Sequence, residues 1–159
     1  MAIKIQWHQP IPLKDGSAED LIYMVDEDEI KVWDGFPGVY MFCWKYGESV
    51  IPMYIGRSMN IYNRIWEHLE TTTLMKRIEN GPRGATMLII GEYISQPRQS
   101  PERTIAIVEK ALIAHAFTEG YALLNHAGTQ TPTYGVQCIR VQKAPKVAGG
   151  KREGKAARS

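Results

Sequence analysis

The stretch that decides the fold is GVYMFCWKYGESVIPMYIGRSMNIYNRIWEHL, residues 38–69. It begins as a strongly β-forming run, turns around Gly47 and returns as a second strand. Pro52 cannot donate a hydrogen bond to a neighbouring strand, so it predicts an edge or bulge position. The returning strand breaks at Gly56, and a helix follows with Asn60 as its predicted N-cap. The stretch therefore predicts a β-hairpin followed by an α-helix.

Outside this stretch, hydrophobic patterning and turn residues predict further strands and helices. Apolar residues alternate with polar ones near the N-terminus, which is typical of a half-buried strand. A serine followed by a proline is a typical helix start. The predicted elements are strands over 3–7, 85–94 and 134–141, with the last beside the first, a short acidic helix within 18–30, and a helix from Pro101 to about Thr118 after the capping residue Ser100.

The composition is typical of one globular domain. The chain has 159 residues, of which 44% are hydrophobic, so it is long enough to bury a core of its own. Cys43 and Cys138 are too few for a disulfide framework or a zinc site, and we expect two reduced thiols. The first ten residues lack the apolar segment of a secretory signal, and no apolar run approaches the length of a membrane span. We therefore expect a soluble cytoplasmic protein with no membrane association.

Charge is unevenly distributed, although the formal net charge is only +2. Residues 15–34 carry eight acids against one base, which is typical of a solvated face. Residues 142–159 carry six bases against one acid and are rich in glycine and alanine, so we expect a disordered tail. Two interpretations of this tail stay open. It is either a solubility segment or a source of salt-dependent attraction to nucleic-acid phosphates.

Two pairs of polar side chains are predicted to converge around the hairpin and the helix that follows it. If the turn centres on Gly47, Tyr40 lies directly opposite Tyr54 and both point to one face of the sheet. A register shifted by one residue would separate them. Arg64 and His68 are four residues apart on the helix, so their side chains lie on the same flank. Taken singly, the tyrosine pair is more typical of packing than of chemistry, and the second pair is more typical of a solvated arginine with a histidine stacked at the core margin.

An acidic residue and an amide stand out in the second half of the chain. Glu109 falls within the apolar stripe of the helix after Pro101, beside Ile105 and Val108. Because an isolated buried charge is costly, this carboxylate must be paired, protonated or bound to a metal. A structural salt bridge to an arginine is as compatible with the position as a functional role. Asn125 follows two leucines and is typical of either a turn cap or a ligand contact.

Together these positions supply the side chains that attack on a phosphodiester requires. Magnesium typically binds one or two protein carboxylates, several waters and a substrate phosphate. Arginines stabilise the charge that develops on phosphoryl oxygens. The candidate site residues are Tyr40, Tyr54, Arg57, Arg64, His68, Glu109 and Asn125.

In their order along the chain, these residues resemble the GIY-YIG nuclease superfamily. GVY at 38–40 and YIG at 54–56 resemble its two tripeptides, and the other candidate residues follow in the family's order. The resemblance covers residues 37–126 and implies an α+β fold with a small three-stranded antiparallel sheet flanked by helices. The chain would then consist of an N-terminal extension (1–36), the nuclease core (37–126), an extra C-terminal strand (127–141) and the basic tail (142–159).

The resemblance also implies roles for the candidate residues. Tyr40 and Tyr54 would be the tyrosines of the two motifs, and Glu109 would be the single carboxylate that binds a divalent metal, Mg²⁺ in the first place and Mn²⁺ as the alternative. Arg64 and His68 match the arginine of the first helix and the His-or-Tyr position one turn later. Asn125 matches the asparagine that closes the site. Arg57 stands where many members carry lysine.

Two features depart from the family pattern. Valine replaces isoleucine in the first motif, and thirteen residues separate Tyr40 from Tyr54, which makes a slightly long hairpin. No second domain follows the core to select a DNA sequence. These departures leave the fold prediction intact and the source of sequence selection open.

The resemblance predicts a metal-dependent endonuclease that hydrolyses DNA, double-stranded DNA in the first place. In this hypothesis Tyr40 is the first choice to accept the proton of the attacking water, because Arg57 and Arg64 would lower its pKa from about 10. His68 is the alternative base or a relay. Three other interpretations stay open: a catalytically silent nucleic-acid-binding module, a strand transferase that forms a phosphotyrosine through Tyr40, and an ordinary α/β interaction domain in which Glu109 merely pairs with Arg64. Monomer and dimer are equally compatible with the sequence.

Overall fold

The computed structural model describes residues 2–81, 84–125 and 139–142, and it has a mixed α+β architecture. The predicted α+β class is therefore confirmed. The strands are β1 (Ile3–Trp7), β2 (Ile11–Pro12), β3 (Lys14–Asp15), β4 (Tyr23–Met24), β5 (Gly38–Tyr46), β6 (Ser49–Ser58), β7 (Ala85–Ile94) and β8 (Ile139–Gln142). The helices are α1 (Glu27–Lys31), α2 (Ile61–Leu69), α3 (Thr72–Glu79) and α4 (Pro101–Thr118), with a single 3₁₀ turn at Ser17–Glu19.

The β5–β6 hairpin forms as predicted, but its register differs. Its turn has two residues, beginning with Gly47 at a φ of 61°, a conformation that glycine adopts readily. This turn shifts the pairing by one residue, and an irregularity next to Pro52 shifts it by one more. The prediction that Tyr40 lies directly opposite Tyr54 is therefore wrong, because Tyr40 pairs with Gly56 and Tyr54 pairs with Phe42. The two shifts together restore the side-chain alternation, so both tyrosines still share a face.

The main sheet is larger than the predicted three strands. Within the described residues its order is β6-β5-β7-β1-β8, and β2 also pairs with β7. All pairings are antiparallel except that of β1 with β8. A three-stranded antiparallel unit is present as β6-β5-β7, and the sheet extends beyond it because β1, which the sequence predicted, and β2, which it did not, both pair with β7. The predicted last strand does lie beside the N-terminal one, over Ile139–Gln142.

Helices cover both faces of this sheet. On one face, α2 and α3 pack against alternate residues of β5 and β7, including Tyr40 and Phe42. On the other face, α4 packs against Val39 and Cys43, which precede Tyr40 and follow Phe42 in the strand and point to the opposite side. Both major helices begin as predicted: the Asn60 side chain caps α2, and the Ser100 side chain caps α4. The sequence did not predict α3, and the acidic helix α1 has only five residues.

Several predictions concern regions beyond the described residues. These predictions are the reduced thiol of Cys138, most of the C-terminal strand over 127–141 and the disordered tail after Gln142.

Cys43 is buried and carries a free thiol. None of the helices in the described parts of the chain has the length and apolarity needed to cross a membrane.

Candidate active site

A pocket of about 410 Å³ opens at the C-terminal end of β6, which is an edge strand of the main sheet. Its walls come from both helical layers and from the turn between β6 and α2. The lining residues are Tyr40, Tyr54, Gly56, Arg57, Ser58, Met59, Arg64, Glu102, Ile105 and Glu109. Five of the seven residues predicted from the sequence therefore meet in one place, and the other two, His68 and Asn125, lie outside the lining.

His68 lies behind Tyr40 rather than in the pocket wall. The Tyr40 Oη atom is 2.6 Å from His68 Nε2, and both side chains are almost completely buried. In the tautomer that carries its proton on Nδ1, His68 accepts the hydrogen bond that the Tyr40 hydroxyl donates. The Tyr54 ring lies 5.0 Å from the His68 ring and stacks on Tyr40 with a centroid separation of 6.5 Å. Phe42 completes this aromatic cluster.

Gly56 makes room for the Tyr40 ring. A Cβ atom at position 56 would lie 2.5 Å from Tyr40 Oη and 2.6 Å from Cζ, which is closer than van der Waals contact allows. The glycine of the second tripeptide is thus required by the tyrosine of the first, which it faces across the hairpin.

The environment changes the proton affinities of this pair in a direction that the sequence did not predict. Burial raises the pKa of Tyr40 well above its usual value of 10, and the neighbouring Tyr54 raises it further. Arg64 acts in the opposite direction but does not prevail, so the prediction that cations lower the pKa of Tyr40 is wrong. Burial, aided by Arg64, lowers the pKa of His68 to about 4. At neutral pH the pair is therefore a protonated tyrosine beside a neutral histidine.

Glu109 is paired with an arginine, as one interpretation of its position required, but the partner is Arg57. The Arg57 Nη1 atom donates a hydrogen bond to Glu109 Oε1. The Glu109 side chain is 17% exposed and that of Arg57 is 42% exposed, so the carboxylate is the better shielded of the two. The alternative of a structural pair between Glu109 and Arg64 is wrong, because Arg64 instead pairs with Glu67 at 2.7 Å on the outer side of α2.

Asn125 contacts backbone rather than the pocket. Its side-chain Nδ2 donates to the carbonyl of Ile55 at 2.7 Å, and its Oδ1 accepts from the Ile55 amide at 3.4 Å. The neighbouring Leu124 amide donates to the Met53 carbonyl at 2.6 Å. The segment after α4 is therefore fastened to the side of β6 that faces away from β5, and β6 is the strand that carries Tyr54 and Arg57. In this structure Asn125 supports the site from behind.

The donor set of the pocket fits a hard divalent cation that keeps most of its water. Within the described residues, no group of three or more His, Cys, Asp or Glu side chains could enclose a metal ion. Mg²⁺ does not need such a cage, because it binds through one or two carboxylates together with water and substrate phosphate. Glu109 presents a carboxylate to a pocket that has room for these additional ligands. Glu109 is therefore the residue that could hold the ion.

The lining also contains Glu102, Ser58 and Met59, which were not predicted from the sequence. Glu102 precedes Glu109 by seven residues, which is two helical turns, so the two carboxylates share one face of α4. That spacing was a usable signal. Ser58 and Met59 carry no comparable signal, since only the path of the β6–α2 turn brings them to the pocket mouth.

Comparison with protein-family models, with curated proteins and with solved structures finds no match for this chain. The interpretation of the site therefore depends on its residues and their geometry.

Proposed function

We propose that this chain is a metal-dependent endonuclease of the GIY-YIG type, which hydrolyses phosphodiester bonds in DNA. The observation that carries the proposal is the convergence of Tyr40, Tyr54, Arg57, Arg64 and Glu109 on one pocket. These residues come from β5, β6, α2 and α4, and they are the residues that the two tripeptides and their spacing single out.

Charge balance supports a divalent cation as part of this function. The two arginines of the lining, Arg57 and Arg64, are offset by two carboxylates, Glu102 and Glu109. The lining alone therefore has no net positive charge with which to attract a phosphodiester. A divalent ion held at Glu109 would make it positive and, when bound, would stabilise negative charge on the scissile phosphate as a Lewis acid.

In this mechanism Arg64 binds and stabilises the reacting phosphate. Its guanidinium lies close enough to the Tyr40 hydroxyl to influence its pKa, yet its pairing with Glu67 is solvent-exposed. An exposed pair of this kind is worth little, about 0–1 kcal/mol, so a phosphate can replace Glu67 at low cost. Arginine also suits a phosphate better than lysine because its fork donates two parallel hydrogen bonds.

The proton of the attacking water passes through Tyr40 to His68 in this proposal. Because Tyr40 is buried and its pKa is raised, a free phenolate is unfavourable. If the hydroxyl accepts the proton of water while it donates its own to His68 Nε2 at 2.6 Å, no phenolate forms. This relay assigns the final proton acceptor to His68 and makes Tyr40 the group that contacts the water.

The first experiment is cleavage of supercoiled plasmid with Mg²⁺ or Mn²⁺ by the wild-type chain, Glu109→Gln and Glu119→Gln. Glu119 is a matched control because it lies just after the same helix, is exposed and does not line the pocket. We expect wild type and Glu119→Gln to nick or linearise the plasmid only with the ion, and Glu109→Gln to lose cleavage. Cleavage by Glu109→Gln, or by wild type in EDTA, would contradict the proposal.

The same samples distinguish the two alternative functions. A protein–DNA adduct that survives denaturing electrophoresis would indicate a phosphotyrosine-forming strand transferase. DNA binding without cleavage by any divalent ion would indicate a silent binding module. Hydrolysis predicts neither result.

A further inference from the structure

Arg57 and a metal ion would both bind the carboxylate of Glu109. The Arg57 guanidinium contacts Glu109 Oε1, and within the described residues this is the one hydrogen bond that the structure gives the Glu109 side chain. We infer that Arg57 neutralises the carboxylate of Glu109 in the free protein and leaves it for a DNA phosphate when substrate binds. This inference rests on the proposed function and names how metal binding and DNA binding depend on each other at the same site.

Arg57 opposes a cation at Glu109 for as long as it stays in place. Arginine stays charged at any pH a protein tolerates, so the guanidinium must move if the carboxylate is to bind a cation. A divalent ion that arrives while Arg57 is in place meets a positive charge within contact distance. Metal binding to the free protein is therefore weakened by the ion pair.

A phosphodiester gives the displaced guanidinium a new partner. The Arg57 side chain starts at the end of β6, is 42% exposed and lines the same pocket as Glu109. It has the freedom to swing within the pocket, and a phosphate accepts its two parallel hydrogen bonds as well as a carboxylate does. DNA binding then releases Glu109, and metal binding releases Arg57, so each should strengthen the other by the same factor.

The two arginines of the pocket differ in this respect. Arg64 pairs with Glu67, a 62% exposed residue on its own helix, and has no contact with Glu109 among the described residues. Removing either arginine deletes one positive charge from the pocket, but only the loss of Arg57 frees the carboxylate. Arg64→Gln is therefore the matched control for Arg57→Gln.

The test measures Mn²⁺ binding to the full chain without DNA, from the electron paramagnetic resonance signal of free Mn²⁺ at fixed salt. Arg57→Gln should tighten binding by about 5- to 150-fold, the usual range of such couplings. Arg64→Gln removes a charge that acts on the ion only across screening solvent, so it should change Mn²⁺ binding by no more than about threefold. Equal effects of the two substitutions would overturn the inference.

Glu109→Gln separates this inference from the proposed function. If Mn²⁺ binding depends on Glu109 but Arg57→Gln does not tighten it more than Arg64→Gln, the metal site stands and the competition is wrong. If wild type, Arg57→Gln and Arg64→Gln all bind Mn²⁺ no better than Glu109→Gln does, both the metal site and the competition are wrong.

The DNA half of the inference has its own measurement. In a Tyr40→Phe background, which stops the chemistry, a short duplex should tighten Mn²⁺ binding by about 5- to 150-fold after correction for ions bound by DNA alone. Adding Arg57→Gln should remove most of this effect, because the competing cation is already gone. The same tightening with and without Arg57 would overturn the exchange of Arg57 from carboxylate to phosphate.

Discussion

Replacing Gly56 with alanine tests the contact on which the site is built. The backbone at Gly56 is outside the left-handed region, so alanine is compatible with its conformation. Without a steric conflict, Gly→Ala at such a position stabilises a protein by about 0.4–1 kcal/mol, because it restricts the unfolded chain. The structure predicts the opposite sign, since the new methyl group would lie 2.5 Å from Tyr40 Oη.

The size of the effect follows from two losses. The Tyr40 ring must move by about 1 Å to restore ordinary contact, and overpacking of this kind costs about 1–3 kcal/mol. The same movement breaks the 2.6 Å hydrogen bond to His68, a buried interaction whose loss adds about 1 kcal/mol. After the stabilisation from restricting the unfolded chain is subtracted, we expect Gly56→Ala to lower the free energy of unfolding by about 1–3.5 kcal/mol.

Urea denaturation measures this change. With a slope of about 1–3 kcal/mol per molar for a chain of this size, the midpoint should fall by roughly 0.5 M or more. In a Tyr40→Leu background the ring is absent, so Gly56→Ala should cost much less, and the difference is the coupling between the two positions. A midpoint that rises, or a cost that is the same in both backgrounds, would refute the steric argument.

Three further predictions concern His68, Arg64 and Asn125. The unfolded His68 binds a proton below its ordinary pKa of 6.5, whereas the folded one binds a proton only below about 4. The free energy of unfolding should therefore fall by up to about 3 kcal/mol as the pH drops from 6.5 to 4. Urea titrations at several pH values should show a steeper loss for wild type than for His68→Gln, and equal slopes would contradict the pKa direction. Arg64→Ala should reduce the plasmid cleavage rate by about 10²–10³-fold, and full activity would remove Arg64 from the mechanism. Its free energy of unfolding should stay within about 1 kcal/mol of wild type, because the pair with Glu67 is exposed. Asn125→Ala should lower the free energy of unfolding by about 1–3 kcal/mol, because it removes both hydrogen bonds to the Ile55 backbone; unchanged stability would show that these bonds do not fasten the segment.

The hairpin shows how much local sequence can predict and where it fails. Pro52 predicted an edge or bulge, and it lies at both, in edge strand β6 next to the register shift. The direct pairing of Tyr40 with Tyr54 failed because turn length and bulge position each move the register by one residue. Neither quantity follows from β propensity. Tyr40 and Tyr54 still point to the same face of the sheet only because the two register shifts, of one residue each, add to an even number of residues.

The site residues show a similar division. Helical spacing correctly indicated that Glu109 belongs to the buried side of α4 and must have a partner. It did not identify Arg57, since that contact joins residues 52 positions apart and depends on how α4 crosses β6. The pKa of Tyr40 was mispredicted for a related reason. The sequence shows which charges are near in the chain, whereas burial, which dominates here, is a property of the assembled layers.

The position of β1 has a consequence for how the chain is made. This strand is interior to the sheet, between β7 and β8, and Trp7 pairs with Gly91. During synthesis at about 5–20 residues per second, the roughly 80 residues between these partners take several seconds to emerge from the ribosome. Throughout that interval the apolar side of β1 has no neighbour, whereas the β5–β6 hairpin can close as soon as its second strand appears. Strand β1 is therefore translated well before its partner β7 and is among the last strands to be placed, so the growing chain is exposed to misassembly at β1.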